Sequence, residues 1–322
     1  MELIIALVSF GIGLGLIIFF AEQLVKGVVG TSVAFGISAF LISVIFVGFD
    51  PDNLAVGAVA SAEGAAGIAL GSIIGAAMVA VAFAFGLSAL MAPMRFAQVP
   101  SQVLVVPLGA IILLTLLALD GQLSRLDGVI LLVAFVLALL YLVRLGKRGL
   151  DIRPSGEVAE SLEKAIRLSK MPSLGLLVLS LAGIVGGSEL LVWAATTLLD
   201  RFGMSDMAFG MTILAFLVSI EEIARELPAA RQGRPDITFA NVAGSILASF
   251  LCNAGIIALV QPVPVEAVVL TFYLPVTLIT TVVILGVVWT KNVSRWAGGM
   301  FIALYLIFVI GGWIASAVNA RT

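Results

Sequence analysis

Acidic side chains are rare in the apolar parts of this sequence, and those that occur there gather in two short segments. The first segment, residues 42–61, carries Asp50, Asp52 and Asn53. The second segment, residues 211–227, carries Ser219, Glu221, Glu222 and Glu226. A carboxylate inside a membrane span costs about 2.5–3.5 kcal/mol on insertion scales, so such residues normally face a cavity, a partner or an ion.

The residue types in these segments suit hard cations. Pro51 lacks a backbone N–H and disturbs the helix turn before it, which frees carbonyl oxygens. Irregular backbone is tolerated in a membrane where it lines a watery cavity. Ca²⁺, Na⁺ and Mg²⁺ prefer carboxylate, carbonyl, amide and hydroxyl oxygens. Ser245 and Ser249 add two hydroxyls on one face of a later helix. These two serines and the seven polar residues above are the predicted metal ligands.

Other interpretations of single residues stay open. Glu221 and Arg225 are four apart and can form a plain salt bridge. Glu226 can be a solvated residue at a helix end, and Asp50 an interfacial residue of a shorter span. Asn241 can hydrogen-bond a neighbouring helix instead of binding an ion.

The composition indicates that lipid is the solvent for much of the chain. Hydrophobic residues make up 61% of the 322 residues, charged residues only 11%, and the mean hydropathy is +1.23. The absence of histidine removes the usual acid/base group at neutral pH. No basic stripe suggests nucleic-acid binding. We expect neither enzyme activity nor a cofactor. An intramembrane hydrolase needs a nucleophile paired with a base, and the sequence has neither histidine nor paired aspartates of the intramembrane protease type.

Apolar stretches long enough to cross a bilayer predict an all-α membrane protein with ten transmembrane helices. The apolar N-terminus lacks the basic start of a signal peptide and is interpreted as a retained first span. The predicted spans are roughly 3–21, 27–49, 64–93, 102–119, 127–145, 173–199, 204–227, 237–260, 264–290 and 296–317.

One long polar stretch, residues 146–172, separates two halves of five spans, 1–145 and 173–322. Placing this loop in the cytoplasm leaves only Arg125, Arg201 and Arg321 in the opposite loops, so the positive-inside rule favours that orientation. Both termini then face outside in a multi-pass protein of the cell membrane. The basic residues on the cytoplasmic side are Lys26, Arg95, Arg144, Lys147, Arg148, Arg153, Lys164, Arg167, Lys170, Arg231, Arg234, Lys291 and Arg295.

The two halves contain similar segments, approximately residues 21–93 and 187–260. Aligning Glu22 with Glu189 brings Gly36-Ile37-Ser38 onto Gly203-Met204-Ser205 without a gap. A deletion of two residues then places Gly75 opposite Gly244 and Asn53 opposite Glu222. Because five is an odd number, two such halves insert with opposite orientation. Inverted repeats of this kind are typical of transporters, whose site lies near the midplane where the repeats meet.

The similar segment of the second half, residues 187–260, resembles the cation/calcium exchanger superfamily, in particular the sodium/calcium exchangers. Their repeats read approximately G-T-S-x-P-E, followed by G-N-x-x-G-S-N. Here SIEEIARELPAARQGRPDITFANVAGS (219–245) keeps the serine, the glutamate and the later asparagine, glycine and serine. The resemblance implies that Glu222, Ser219, Ser245, Ser249 and the carbonyl of Ala215 bind Ca²⁺ and Na⁺.

The first segment departs from this family pattern. Its glutamate position is Asn53, or Asp52 if the gap moves, and its serine position is Asp50. The following helix has Ala76 and Ala80 where the family has serine and asparagine. In the second segment, Glu221 stands where the proline is expected.

The sequence as a whole predicts a secondary active antiporter that exchanges a divalent cation, with Ca²⁺ favoured, for Na⁺ or H⁺ by alternating access. The bilayer and small inorganic cations are the expected partners, and the sequence does not predict an oligomeric state. The alternatives are a cation channel, an ion-sensing membrane protein on the same fold, or an exchanger selective for Mg²⁺ or another cation.

Overall fold

The computed structural model describes residues 2–34, 50–96, 101–146, 170–202 and 204–319, which are mostly helical. Its helices are α1 (Glu2–Ala34), α2 (Pro51–Ala62), α3 (Ala66–Met91), α4 (Ser101–Leu117), α5 (Arg125–Gly146), α6 (Lys170–Phe202), α7 (Asp206–Val218), α8 (Glu221–Arg231), α9 (Pro235–Val260), α10 (Val269–Trp289) and α11 (Arg295–Asn319).

Within the described residues, seven helices are long and apolar enough to cross a membrane, and an eighth span results if the bent pair α7–α8 is counted as one. Helix α4 is apolar but shorter. In an apolar 18-residue window of each helix, 94% of α3 and 89% of α9 is buried, whereas only 17% of α1 and 11% of α5 is buried. Helices α3 and α9 therefore form the centre, and α1 and α5 lie at the apolar periphery.

Glycines allow the central helices to approach closely. A Cβ atom at Gly75 on α3 would lie 2.5 Å from the backbone oxygen of Met211 on α7. Gly71, one turn earlier, sits directly against the backbone of Gly210. Small residues at such contacts are typical of packed helices in membranes. The glycine face of α3 thus packs against the first half of α7, about two turns before the break that leads to α8.

Short strands and glycine contacts join the two halves of the chain crosswise. Strand β1 (Met94–Arg95) pairs antiparallel with β4 (Asn292–Val293), and β2 (Gln122–Leu123) pairs with β3 (Val263–Pro264). Close backbone contacts follow the same crossed pattern. They link Gly86 with Gly298 and Gly128 with Gly255.

The predicted boundary between the first two spans is wrong. The break expected at residues 22–26 is absent, because α1 continues to Ala34. Lys26 therefore lies in a helix rather than in a loop, where it pairs with Glu22 one turn earlier. Residues 35–49 lie outside the described ranges, and α2 begins after them at Pro51, beyond the predicted end at residue 49.

The remaining predicted spans agree with helices within a few residues, apart from the bend inside residues 204–227 and the start of α10 at Val269, five residues after the predicted 264. Most of the predicted 146–172 loop is residues 147–169, which are outside the described ranges. Helix α6 begins at Lys170, so the end of that predicted loop is helical.

Candidate cation site

The second half of the chain provides a broken helix. Helix α7 ends at Val218, and α8 begins at Glu221 with a bend of 53° between them. The backbone N–H of Ser219 still donates to the Ala215 carbonyl at 3.0 Å. The break places Glu221 and Glu222 in the first turn of α8, where the helix dipole favours negative charge.

The first half provides a matching helix start. Helix α2 begins at Pro51, a position where the missing N–H costs little, and Asp50 immediately precedes it. Asp52 and Asn53 follow in the first turn. Asp50, Asp52 and Asn53 are all at most 3% exposed. Asp50 is therefore enclosed by protein, whereas an interfacial residue at the end of a shorter span, the alternative that the sequence left open, is expected to be exposed.

Two helix starts from opposite halves meet at this point. The Asn53 side-chain amide donates a 3.0 Å hydrogen bond to the Ser219 hydroxyl. Carboxylate oxygens of Asp50, Asp52 and Glu221 all lie within 4.8 Å of one another. Like charges about 4 Å apart repel by about 4 kcal/mol at an effective dielectric of 20, so the cluster requires positive charge nearby.

Arg225 supplies one such charge. Its guanidinium donates to Asp50 at 2.6 Å, to Glu222 at 3.0 Å and to Glu221 at 2.5 Å. The Glu221–Arg225 pair that the sequence left open is therefore present, and it extends to two further carboxylates. The Arg225 side chain is 18% exposed, which puts this network largely out of solvent.

Asn241 on α9 joins the two buried glutamates of α8. Its amide donates to Glu222 at 2.5 Å and to Glu226 at 3.2 Å. Glu226 is fully buried, so it is not a solvated residue at the helix end. The sequence left open whether Asn241 bonds a neighbouring helix or binds an ion. In the structure it makes helix–helix hydrogen bonds to acids of the site.

Some oxygens at the site lack side-chain partners. Neither carboxylate oxygen of Asp52 accepts a hydrogen bond from a side chain in the described ranges, although Asp52 is 0% exposed. Glu226 Oε2 and the buried Ser245 hydroxyl are also without a partner among the described residues. Buried polar atoms are rarely left unpaired, and a bound cation is one explanation for those that are.

The serines of α9 continue from Asn241 along the helix. Ser245 lies one turn after Asn241 and Ser249 one turn after Ser245, and both are 1% exposed. Ser249 falls in a π-helical stretch, Ala248–Asn253. Such widened turns occur often at functional sites. The carbonyl of Ala215, which the resemblance predicts to bind a cation, accepts a hydrogen bond from the Ser219 N–H at the break.

The structure thus brings Asp50, Asp52 and Glu221 into one group, and it links the remaining acids to that group through Arg225 and Asn241. The resulting donor set consists of oxygens and is suited to hard cations. The bridging role of Arg225 was missed in the sequence. The signal for it was available, because an arginine within an apolar span needs partners as much as an acid does.

The chain matches known proteins over most of its length. The family model described as "Sodium/calcium exchanger protein" matches residues 5–144 and 172–313. The uncharacterized membrane protein MJ0091 of Methanocaldococcus jannaschii is 29% identical over 309 residues, which are 95% of this chain and 98% of that protein. The sodium/calcium exchanger MaX1 of Methanosarcina acetivorans is 30% identical over 135 residues, 42% of this chain and 39% of that one.

Solved structures agree with the sequence comparisons. A structure of the sodium-calcium exchanger NCX_Mj, soaked with Na⁺ and Sr²⁺, superimposes with a TM-score of 0.61 at 26% identity. The superposition covers 96% of this chain and 98% of that chain. Because the family model covers most of both halves, this chain belongs to the sodium/calcium exchanger protein family.

Proposed function

We propose that this chain is a secondary active antiporter that exchanges Ca²⁺ for Na⁺ by alternating access. One observation carries the proposal. Carboxylate oxygens of the buried Asp50 and Asp52 from one half and of the half-buried Glu221 from the other lie within 4.8 Å of one another. A site shared by both halves changes when the halves move relative to each other, as alternating access requires.

The charge of the site supports exchange rather than simple binding. Among the described residues, five acids lie close to one arginine, Arg225: Asp50, Asp52, Glu221, Glu222 and Glu226. Ionised carboxylates in excess of the local cations favour either one divalent ion or several monovalent ions. The two kinds of ion then compete for the same oxygens, which couples the entry of one to the exit of the other.

The crossed contacts between the halves support an inverted arrangement of two five-helix repeats, 1–145 and 173–322. The offset that aligns Gly75 with Gly244 also carries Gly86 to Gly255 and Met94–Arg95 to Val263–Pro264. Gly86 contacts Gly298, and its counterpart Gly255 contacts Gly128, as a two-fold relation requires.

The strand pairs also fit the orientation that the basic residues favour. With the 146–172 loop in the cytoplasm, the loops of β1 and β4 face the cytoplasm, and those of β2 and β3 face outside. Each pair then joins two loops on the same side of the membrane. Two repeats of the same orientation would place the partners of each pair on opposite sides.

The proposal is tested with purified protein in liposomes. We expect uptake of radioactive Ca²⁺ that depends on an outward Na⁺ gradient, saturates with Ca²⁺ and stops when the gradient is removed. Uptake that follows a proton gradient alone would identify H⁺ as the coupling ion. Flux that does not saturate and needs no counter-ion would contradict exchange and favour the channel.

A further inference from the structure

Arg225 occupies an unusual place for a positive charge in a cation site. It lies on α8, one turn into the helix that carries Glu221 and Glu222. Its side chain reaches across the interface between the halves to Asp50, 175 residues away in sequence. The guanidinium therefore contacts acids from both helix starts at once.

The chemistry of arginine makes this charge permanent. A guanidinium stays protonated in proteins and presents its donors in a rigid plane. Two of its nitrogens hold three carboxylates here, at 2.5–3.0 Å. Asp52, which belongs to the same group of acids, receives no hydrogen bond from Arg225 or from another described side chain.

We propose that Arg225 is a resident cation of the site, which competes with the transported cations for the oxygens of Asp50, Glu221 and Glu222. Its charge takes the place of one monovalent ion that the acids would otherwise hold. A divalent ion that binds between Asp50, Asp52 and Glu221 must either displace the guanidinium from Asp50 or Glu221 or bind despite the repulsion between the two positive charges.

This inference rests on the proposed cation transport for its physiological meaning, but its test needs only binding. Because the competing charge is tethered, it lowers the affinity for every cation and promotes release. Removing it adds one net negative charge to the site.

The first experiment compares Ca²⁺ binding to purified wild-type protein and Arg225→Gln by equilibrium dialysis with radioactive Ca²⁺. We expect the variant to bind at least about tenfold tighter, a difference of about 1.4 kcal/mol. Arg231→Gln is the matched control, because Arg231 lies exposed at the end of the same helix. The control should bind as the wild type does.

A second pair of variants keeps the test valid if Arg225→Gln does not fold. Glu221→Gln and the double variant Glu221→Gln/Arg225→Gln differ by the arginine alone, and the double variant has the formal charge of the wild type. The double variant should bind Ca²⁺ more tightly than Glu221→Gln. Equal or weaker binding in the folded variant that lacks Arg225 would overturn the proposal.

The outcomes for binding and for transport are separate. One outcome is that wild-type protein shows no Ca²⁺ uptake in liposomes while the variants without Arg225 bind Ca²⁺ more tightly than their partners. This result would contradict the proposed exchange and support the proposal that Arg225 is a resident cation. If uptake is normal and affinity does not change without Arg225, exchange stands and Arg225 is a structural bridge only.

Discussion

Asn53 on α2 donates a 3.0 Å hydrogen bond to Ser219 at the break between α7 and α8, so the start of α2 contacts that break directly. Asn53→Ala leaves the buried Ser219 hydroxyl without this donor. We expect a loss of about 1–3 kcal/mol in stability. Thermal unfolding in detergent measures it, with exposed Asn292→Ala as the control that should change little.

Asp52 differs from the other acids because it is fully buried and no described side chain donates to it. Asp52→Asn removes the repulsion from Asp50 and Glu221 when no cation is added. We expect a melting temperature higher by about 2–4 °C under those conditions. Added Ca²⁺ should raise the melting temperature of the wild type but not of the variant. A variant that gains the same Ca²⁺-dependent shift would remove Asp52 from the site.

Glu222 joins Arg225 and Asn241 through its two oxygens. Glu222→Gln removes a buried negative charge that a cation needs, so Na⁺-driven Ca²⁺ uptake in liposomes should fall to background. Asp120→Asn, a change at an exposed acid in the loop after α4, should transport normally. Normal uptake by folded Glu222→Gln would show that this carboxylate does not take part.

The contact between α3 and α7 leaves no room for a methyl group at Gly71. Gly71→Ala forces the helices apart, and such overpacking costs about 1–3 kcal/mol. Gly109→Ala on α4 is a matched control, because no other atom would lie within 4 Å of its new Cβ. Thermal unfolding of both variants separates the steric effect from the change in helix propensity.

The pairing of β1 with β4 predicts a specific cross-link. Arg95 and Asn292 are register partners and both are exposed. Cysteines at these two positions should form a disulfide under mild oxidation, since directly opposed Cβ atoms in antiparallel strands lie about 4.5–5.5 Å apart. A pair at Gln122 and Asn292, which belong to different strand pairs, should not. Cross-linking of the second pair would contradict the inverted arrangement.

The sequence predicted the spans well where apolar stretches end in polar loops, as at Asp120 and Arg125. It failed at residues 22–26, because Glu22 and Lys26 neutralise each other along one face of α1 and the helix continues. Two charged residues in an apolar stretch suggest a loop by composition, but opposite charges four residues apart stabilise a helix.

The acids of the site were visible as charges in apolar segments, and so was the local Glu221–Arg225 pair, but their partners on other helices were not. Arg225 reaches Asp50 because helices from different halves are in contact, and the spacing of residues along the chain does not reveal such a contact. Asn241 was an open choice for the same reason, because the hydrogen bonds to Glu222 and Glu226 depend on how α9 packs against α8.

The crossed strand and glycine contacts have a consequence for how the chain is made. During synthesis, Gly86 and β1 are made long before Gly298 and β4 exist to cover them. These contacts of the first half can therefore form only after the last helix, which carries Gly298, has been made. Contacts this distant along the chain slow assembly and leave incomplete chains vulnerable to mispairing and degradation.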